Sequence, residues 1–236
     1  MDLGKENNRN DDVVINTNST DKEILNILIP NAAKVLFIYS NDLYYVAEVT
    51  NAKSLDTTVF ENNAHLLELA KSLNLTTVAG SLNKDIIGFN SKEYDIVIAD
   101  NVLAKARFVK DFISDISRIG NYAILGHDNS AYYKNRLFFL LYGSFFVERS
   151  FDIIEDNDSA WFNKDPWNIS HKDILSLCRS SSIVIEKGIY YGSSKKLCNI
   201  YNLRGYPGLM AKKAYYLLND QPSGLLPNYT FGARAV

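Results

Sequence analysis

The chain has 236 residues, 47% of them apolar and 22% charged, with 25 Lys and Arg against 27 Asp and Glu. That size and apolar content suit one core-bearing domain with appendages, and a net charge of -2 supplies no basic excess to draw the chain to nucleic acid. Two cysteines, Cys178 and Cys198, are too few for a disulfide scaffold and lack metal-ligand spacing, so a cytoplasmic or other reducing compartment is expected. The most apolar run, Leu137 to Val147, is broken by Gly143 and Ser144 and falls far short of the roughly 20 residues a membrane span requires.

Residues 1–20 are polar and aperiodic, without the basic start and apolar stretch of a secretion signal, and read as a disordered or docking arm. Lys22 to Ile29 forms a short helix with Ile24, Leu25 and Leu28 on one face, stopped by Pro30. Lys34 to Tyr39 is apolar without alternation, the pattern of a parallel strand covered on both faces. A helix over Leu43 to Ala52, a strand over Thr57 to Phe60, a helix over Asn63 to Leu73 and a strand over Leu75 to Ala79 follow. Next come a strand at Tyr94 to Ala99, a helix from Ala106 to Ile119 capped by Gly120, and a strand at Tyr122 to Leu125. A helix at Asp173 to Ser180 and strands at Ile183 to Tyr190 and Ala211 to Leu218 complete the series.

Strands alternating with helices predict an α/β fold, a seven-stranded, mostly parallel, Rossmann-like sheet with helices on both faces, over residues 21–218. Residues 130–167 form a long insertion rich in Tyr, Phe and Trp, and 219–236 an extended C-terminal tail. Aromatic area of that kind dominates interface energetics, so Phe145, Phe146 and Trp161 are the expected anchors for a protein partner, against the alternative of a lid packed on its own domain.

This order of strands, the last two joined without a helix, resembles the class I S-adenosylmethionine-dependent methyltransferase fold. Within it, several stretches are similar to the MetW family of methionine-biosynthesis proteins. They are Tyr94-Asp95-Ile96-Val97-Ile98, Ser117-Arg118-Ile119-Gly120-Asn121-Tyr122, Arg136-Leu137 through Gly143, Trp167-Asn168-Ile169-Ser170, Lys172-Asp173, and Tyr206-Pro207-Gly208-Leu209. The resemblance implies a link to methionine biosynthesis and a homoserine acyltransferase as partner.

It also implies a glycine-rich loop after the first strand, where backbone must approach the cofactor closely. Here that loop is Tyr39-Ser40-Asn41-Asp42-Leu43, with Tyr39, Asn41 and Leu43 where the family has glycines and Phe37 where it has an acid. A left-handed Tyr or Leu would cost about 1–2 kcal/mol and fill ligand space. Ser40 and Asp42 are the polar groups left there for a cofactor. Glu61 aligns with the carboxylate that holds the ribose hydroxyls, or else caps the following helix. Ser81, in Gly80-Ser81-Leu82, replaces the acid that contacts the adenine amine. Asp100 follows the fourth strand, where methyl acceptors lie, and its other reading is a cap at the strand end. His127-Asp128-Asn129 supplies either a base at the carboxyl edge or only a turn. His65 is expected at the surface and His171 at a helix entry.

These departures lead to the expectation of a non-catalytic partner or accessory subunit, with S-adenosylmethionine bound weakly or not at all. The rival is an active methyltransferase using Glu61 with Asp100 or His127. A structural subunit of a larger assembly is a third reading.

Overall fold

The computed structural model describes residues 21–40, 42–142, 169–192, 198–199 and 211–219. The helices are α1 (Asp21–Leu28), α2 (Leu43–Lys53), α3 (Ala64–Ser72), α4 (Val109–Ile119), α5 (Tyr133–Tyr142) and α6 (His171–Ser180). The strands are β1 (Lys34–Ile38), β2 (Asp56–Glu61), β3 (Thr76–Ala79), β4 (Tyr94–Asp100), β5 (Gly120–Asp128), β6 (Val184–Gly192), β7 (Cys198–Asn199) and β8 (Ala211–Asn219). They form one sheet in the order β3-β2-β1-β4-β5-β8-β6-β7. The ladders from β3 to β5 are parallel, whereas β8 runs antiparallel to both β5 and β6. All seven expected strands are present, and the two-residue β7 adds a short antiparallel edge against β6.

The two faces of the sheet bury separate cores, as the continuous apolar strands require. Along β1, Val35 and Phe37 join Ile24, Leu28, Val46, Val49 and Ala70 on one side. Leu36 and Ile38 join Phe112, Ile113, Ile116, Ile174 and Cys178 on the other. The chain reverses direction across the sheet between β1 and β4, so the carboxyl ends of these strands flank the crevice where ligands bind in open α/β sheets.

Three differences from the sequence reading stand out beside shifts of one or two residues at other element ends. The α4 helix starts at Val109 instead of Ala106, because Asn83 Oδ1 accepts from the Arg107 N–H at 2.7 Å and Ala106 is extended. Gly120 ends α4 in an extended conformation, φ -100° and ψ 155°, and not as a left-handed cap. A glycine is needed there because a Cβ would lie 2.9 Å from Val97 Cγ2. Finally, β5 runs on to Asp128, so His127 lies in a strand and not in a turn.

Candidate functional site

Tyr39 leaves β1 with φ 49°, a left-handed conformation that an aromatic residue adopts only when its surroundings outweigh the strain. Its N–H donates to Phe60 O at 2.9 Å, extending the β1–β2 ladder by one step. The side chain crosses to the loop after β3. There its hydroxyl donates to Gly80 O and accepts from Leu82 N–H, both at 3.1 Å. The ring packs edge-on against Phe60 with centroids 5.9 Å apart and is 7% exposed. Burial first, then the nearby charges of Glu61 and Asp85, raises the phenol pKa and keeps it protonated, as a donor must be.

Beside this ring lies a cavity of about 300 Å³, lined by Tyr39, Glu61, Asn62, Asn63, Leu66, Ser81, Leu82, Asn83 and Lys105. The volume is at the lower end of the range in which small molecules bind. Glu61 ends β2 and is 4% exposed, and its Oε1 accepts from the N–H groups of Asn62 and Asn63 at 2.9 and 3.1 Å. It does not cap α3. That role belongs to Asn63, whose Oδ1 accepts from His65 and Leu66 N–H. Glu61 and Ser81 therefore meet at one cavity, as their positions after neighbouring strands β2 and β3 suggest. Ser81 N–H donates to Asp85 Oδ2 at 2.7 Å, which fixes the turn that carries it.

The other candidates lie elsewhere. Ser40 is half-buried but is not part of the cavity wall. Asp42 caps α2 by accepting from Tyr45 N–H at 2.9 Å, and pairs with Lys22 Nζ at 2.8 Å. Lys22, then the Tyr45 N–H, lowers its pKa. Leu43, expected to fill ligand space, is instead buried in the core beneath α2. Asn41, Phe145, Phe146 and Trp161 lie outside the described residues.

Asp100 stands at the carboxyl end of β4 but faces β8, where Lys213 Nζ lies 2.9 Å from Oδ1 and Tyr215 Oη donates to Oδ2 at 3.3 Å. Gly126 on β5 makes room for it, since a Cβ there would collide with the carboxylate. His127 is buried and its Nε2–H donates to Ile169 O at 2.7 Å. Burial pushes its pKa down to about 4, too weak a base for proton transfer near neutral pH. His171 opens α6 as expected, but it is buried, stacks on Tyr216 and hydrogen-bonds its hydroxyl through Nδ1. His65 is exposed. Among the described residues no cluster of His, Cys, Asp and Glu could hold a metal, and no helix is long and apolar enough to cross a membrane. A second cavity of about 590 Å³, between Arg107–Asp111 and Ile169–Leu177, includes none of the expected cofactor residues.

Sequence reasoning missed the hydroxyl contacts of Tyr39, the partners of Asp100 and the presence of Lys105 in the cavity wall. Lys213 left a usable signal: a lysine adjoining the apolar run Ala214 to Leu218 is buried only when it is paired.

The family model described as methionine biosynthesis protein MetW matches residues 19–218. The chain belongs to the MetW family. Solved structures bear out the fold this assignment carries. An S-adenosylmethionine-dependent methyltransferase from Thermotoga maritima aligns with a TM-score of 0.59 at 11% identity, over 85% of this chain and 87% of that one. One from Mesorhizobium loti aligns with a TM-score of 0.57 at 9% identity, over 83% and 95%. A chain of the complex between the Haloferax volcanii Trm112 methyltransferase activator and a methyltransferase aligns with a TM-score of 0.57 at 8% identity, over 84% and 88%. No curated protein matches significantly. At such identities the structures speak for the fold alone. In this MetW-family chain, the positions of Tyr39, Glu61 and Ser81 relative to β1, β2 and β3 are therefore the informative ones.

Proposed function

We propose that this MetW-family chain is a non-catalytic, partner-binding subunit whose cofactor cavity is narrowed by one of its own side chains. The observation that carries the reading is Tyr39. Its ring stands where the fold's loop brings bare backbone to a cofactor, and its hydroxyl engages both polar backbone groups of the facing loop. Those residues do not fit S-adenosylmethionine, which would have to displace the ring and break both hydrogen bonds to enter. Asp42 is committed to α2 and Lys22, and Asp100 to β8, which leaves Glu61 and Ser81 of the expected ligand set facing the cavity.

The partner-binding half of the proposal rests on the aromatic insertion 130–167 and the tail 219–236. Of these, α5 is described, and it leaves Leu137, Leu140 and Leu141 more than half exposed, at 52%, 79% and 65%. Exposed apolar residues grouped on one helix mark association surfaces. The Haloferax volcanii complex, in which a methyltransferase is paired with an activator protein, supports the idea that this fold works through a partner. The family's description supports methionine biosynthesis as the setting, with a homoserine acyltransferase as the partner the resemblance implies.

Glu61 favours a second reading, an active methyltransferase, because a buried carboxylate is retained at the cavity. Titration calorimetry of the wild-type chain with S-adenosylmethionine separates the two. No binding at roughly 1 mM ligand is expected, and a low-micromolar dissociation constant would overturn the non-catalytic reading. Co-purification with the acyltransferase, compared between wild type, Phe146→Ala and a chain ending at Asn219, tests the partner surface. Loss of the complex with unchanged thermal stability is the expected result.

A further inference from the structure

The chain leaves β5 for α5 and returns to α6 through one junction, and two buried histidines, His127 and His171, sit in it. Ile169 O accepts from His127 Nε2–H at 2.7 Å and from Ser130 N–H at 3.1 Å, so His127 and Ile169, 42 residues apart, meet at one carbonyl. Asn129 Oδ1 accepts from His171 N–H at 3.1 Å and from Ala131 N–H at 3.2 Å, a second crossing between the same two segments. The root of α5 hangs from this junction: Tyr132 N–H donates to Asn129 O at 3.0 Å, and Arg136 Nε–H to Ala131 O at 3.0 Å. The His171 ring fastens the junction to β8, where it stacks on Tyr216 and shares a hydrogen bond with its hydroxyl through Nδ1.

That ring is built to be neutral. Nε2 is buried and has no hydrogen-bond partner among the described residues, so in the imidazolium it is an N–H that shares the positive charge and meets no acceptor. Burial accordingly lowers the His171 pKa. From β8, the Tyr216 phenol, its pKa raised by burial, keeps its proton and supplies no counter-charge, and Lys213 adds a positive charge of its own. From β5, His127 is neutral near pH 7, pushed down to about 4 by burial first, with His171 and Lys213 opposing its charge and Ile169 O and Asp173 favouring it. On α6, the Asp173 carboxylate is committed to Ser170 N–H and Oγ at 2.8 and 2.6 Å, Lys172 is a second cation, and Cys178, pushed up to about 11 by burial, is a neutral thiol. From α4, Lys110 and Asp111 share with Asp173 the wall of the cavity of about 590 Å³.

We propose that His171 is the bolt of an acid-sensitive latch: neutral, it clamps the roots of α5 and α6 together on β8, and protonated, it leaves its pocket for water and releases them while the sheet stays folded. The release is local because His171 is the first residue of α6, and Ile174 and Cys178 hold the following turns in the core. The latch goes beyond the partner reading and does not depend on it.

Hydrogen exchange of the full chain, corrected for the intrinsic pH dependence of amide exchange, tests this. Between pH 7.5 and 5, protection of the Ser130, Tyr132 and His171 amides should fall about tenfold more than that of the β4 amides. His171→Asn keeps a side-chain acceptor for the phenol and does not titrate, so it should abolish that difference. His127→Gln keeps a donor for Ile169 O and should respond to acid as wild type does. In wild type, the NMR titration of the His171 ring should coincide with the loss of junction protection. An acid response equally large in His171→Asn, or a fall no greater at the junction than in β4, overturns the latch. Loss of the response in His127→Gln moves the sensor off His171 and overturns it likewise. If His171→Asn does not fold, the wild-type titration decides, and a His171 transition at a pH where junction protection is unchanged overturns the proposal.

Discussion

The pairing of Asp100 with Lys213 yields a prediction whose sign depends on which partner is removed. Lys213 is 2% exposed, whereas the Asp100 side chain, although its Oδ1 is buried, is 28% exposed, so water reaches the carboxylate more readily than the ammonium. Asp100→Asn takes from a buried ammonium the carboxylate 2.9 Å from it, while the contact with the Tyr215 ring, 4.9 Å from Nζ to centroid, stays. Removing one partner of a buried pair costs about 3–5 kcal/mol, so about 3 kcal/mol is expected here. Lys213→Met keeps most of the buried stem volume and exposes Asp100 to more water, and should cost about 1 kcal/mol. The double variant should be close to Lys213→Met alone, because no isolated charge then remains buried.

Urea unfolding at pH 7 reads this difference directly. With a slope of about 2–3 kcal/mol/M, a gap of about 2 kcal/mol separates the two midpoints by roughly 0.7–1 M. If Asp100→Asn unfolds at the same urea concentration as Lys213→Met, or higher, the pair does not hold the β4–β8 side of the edge as described. Rescue of Asp100→Asn by adding Lys213→Met is the decisive arm, since it cannot arise from a simple loss of contacts.

His127 gives a pH dependence. Its folded pKa, pushed down to about 4 by burial, lies below the ordinary imidazole value, so the unfolded chain binds more protons between the two and stability rises with pH. Stability should therefore fall as pH drops from about 6.5 towards 4, by at most about 3 kcal/mol, and His171, lowered in the same direction, adds to the slope. Urea midpoints from pH 7.5 to 5 should fall less steeply for His127→Gln, and equal slopes would exclude His127 as the source. At the cavity, Gly80→Ala puts a methyl 2.5 Å from Phe60 Cε2 and should cost about 1–3 kcal/mol, whereas Gly88→Ala meets nothing within 4 Å and should stay within about 0.5 kcal/mol. Thermal unfolding of both variants checks the contrast.

The sheet was legible because each of its strands carries its own signal. Lys34 to Tyr39 reads as a doubly covered strand from its apolar run alone and Tyr94 to Ala99 as a strand, and the strands Lys34–Ile38 and Tyr94–Asp100 are buried accordingly. What stayed hidden depends on pairs far apart in the chain. Asn83 shortens α4 through Arg107, Lys213 draws Asp100 away from the cavity, and Ile169 O accepts a hydrogen bond from His127. None of these has a local periodicity to betray it. At the cavity the aligned positions identified Glu61 and Ser81, and the missing glycines pointed to a side chain in the way. That the side chain would be Tyr39 and not Leu43 followed from which one the helix takes inward: Leu43 opens α2 and its face is the buried one.

The distribution of backbone strain argues that Tyr39 has a purpose in this fold. Besides Tyr39, the left-handed non-glycine residues among those described are Ala32, Ser54, Asn74, Lys92, Asn101 and Ser182. Ala32, Ser54, Asn74, Lys92 and Ser182 lie just before β1, β2, β3, β4 and β6, where the chain must reverse sharply to enter a strand. Asn101 follows β4, and Asn is a residue that accepts this region readily. Tyr39 is the exception, an aromatic residue in a left-handed turn at the carboxyl edge, where Gly or Asn would make the same turn at a lower backbone cost. The conformation persists because the two hydrogen bonds to Gly80 and Leu82 and the contact with Phe60 outweigh that cost. A side chain that only filled space would need no hydroxyl. This one places its oxygen on a donor and an acceptor at once and so ties the end of β1 to the loop after β3.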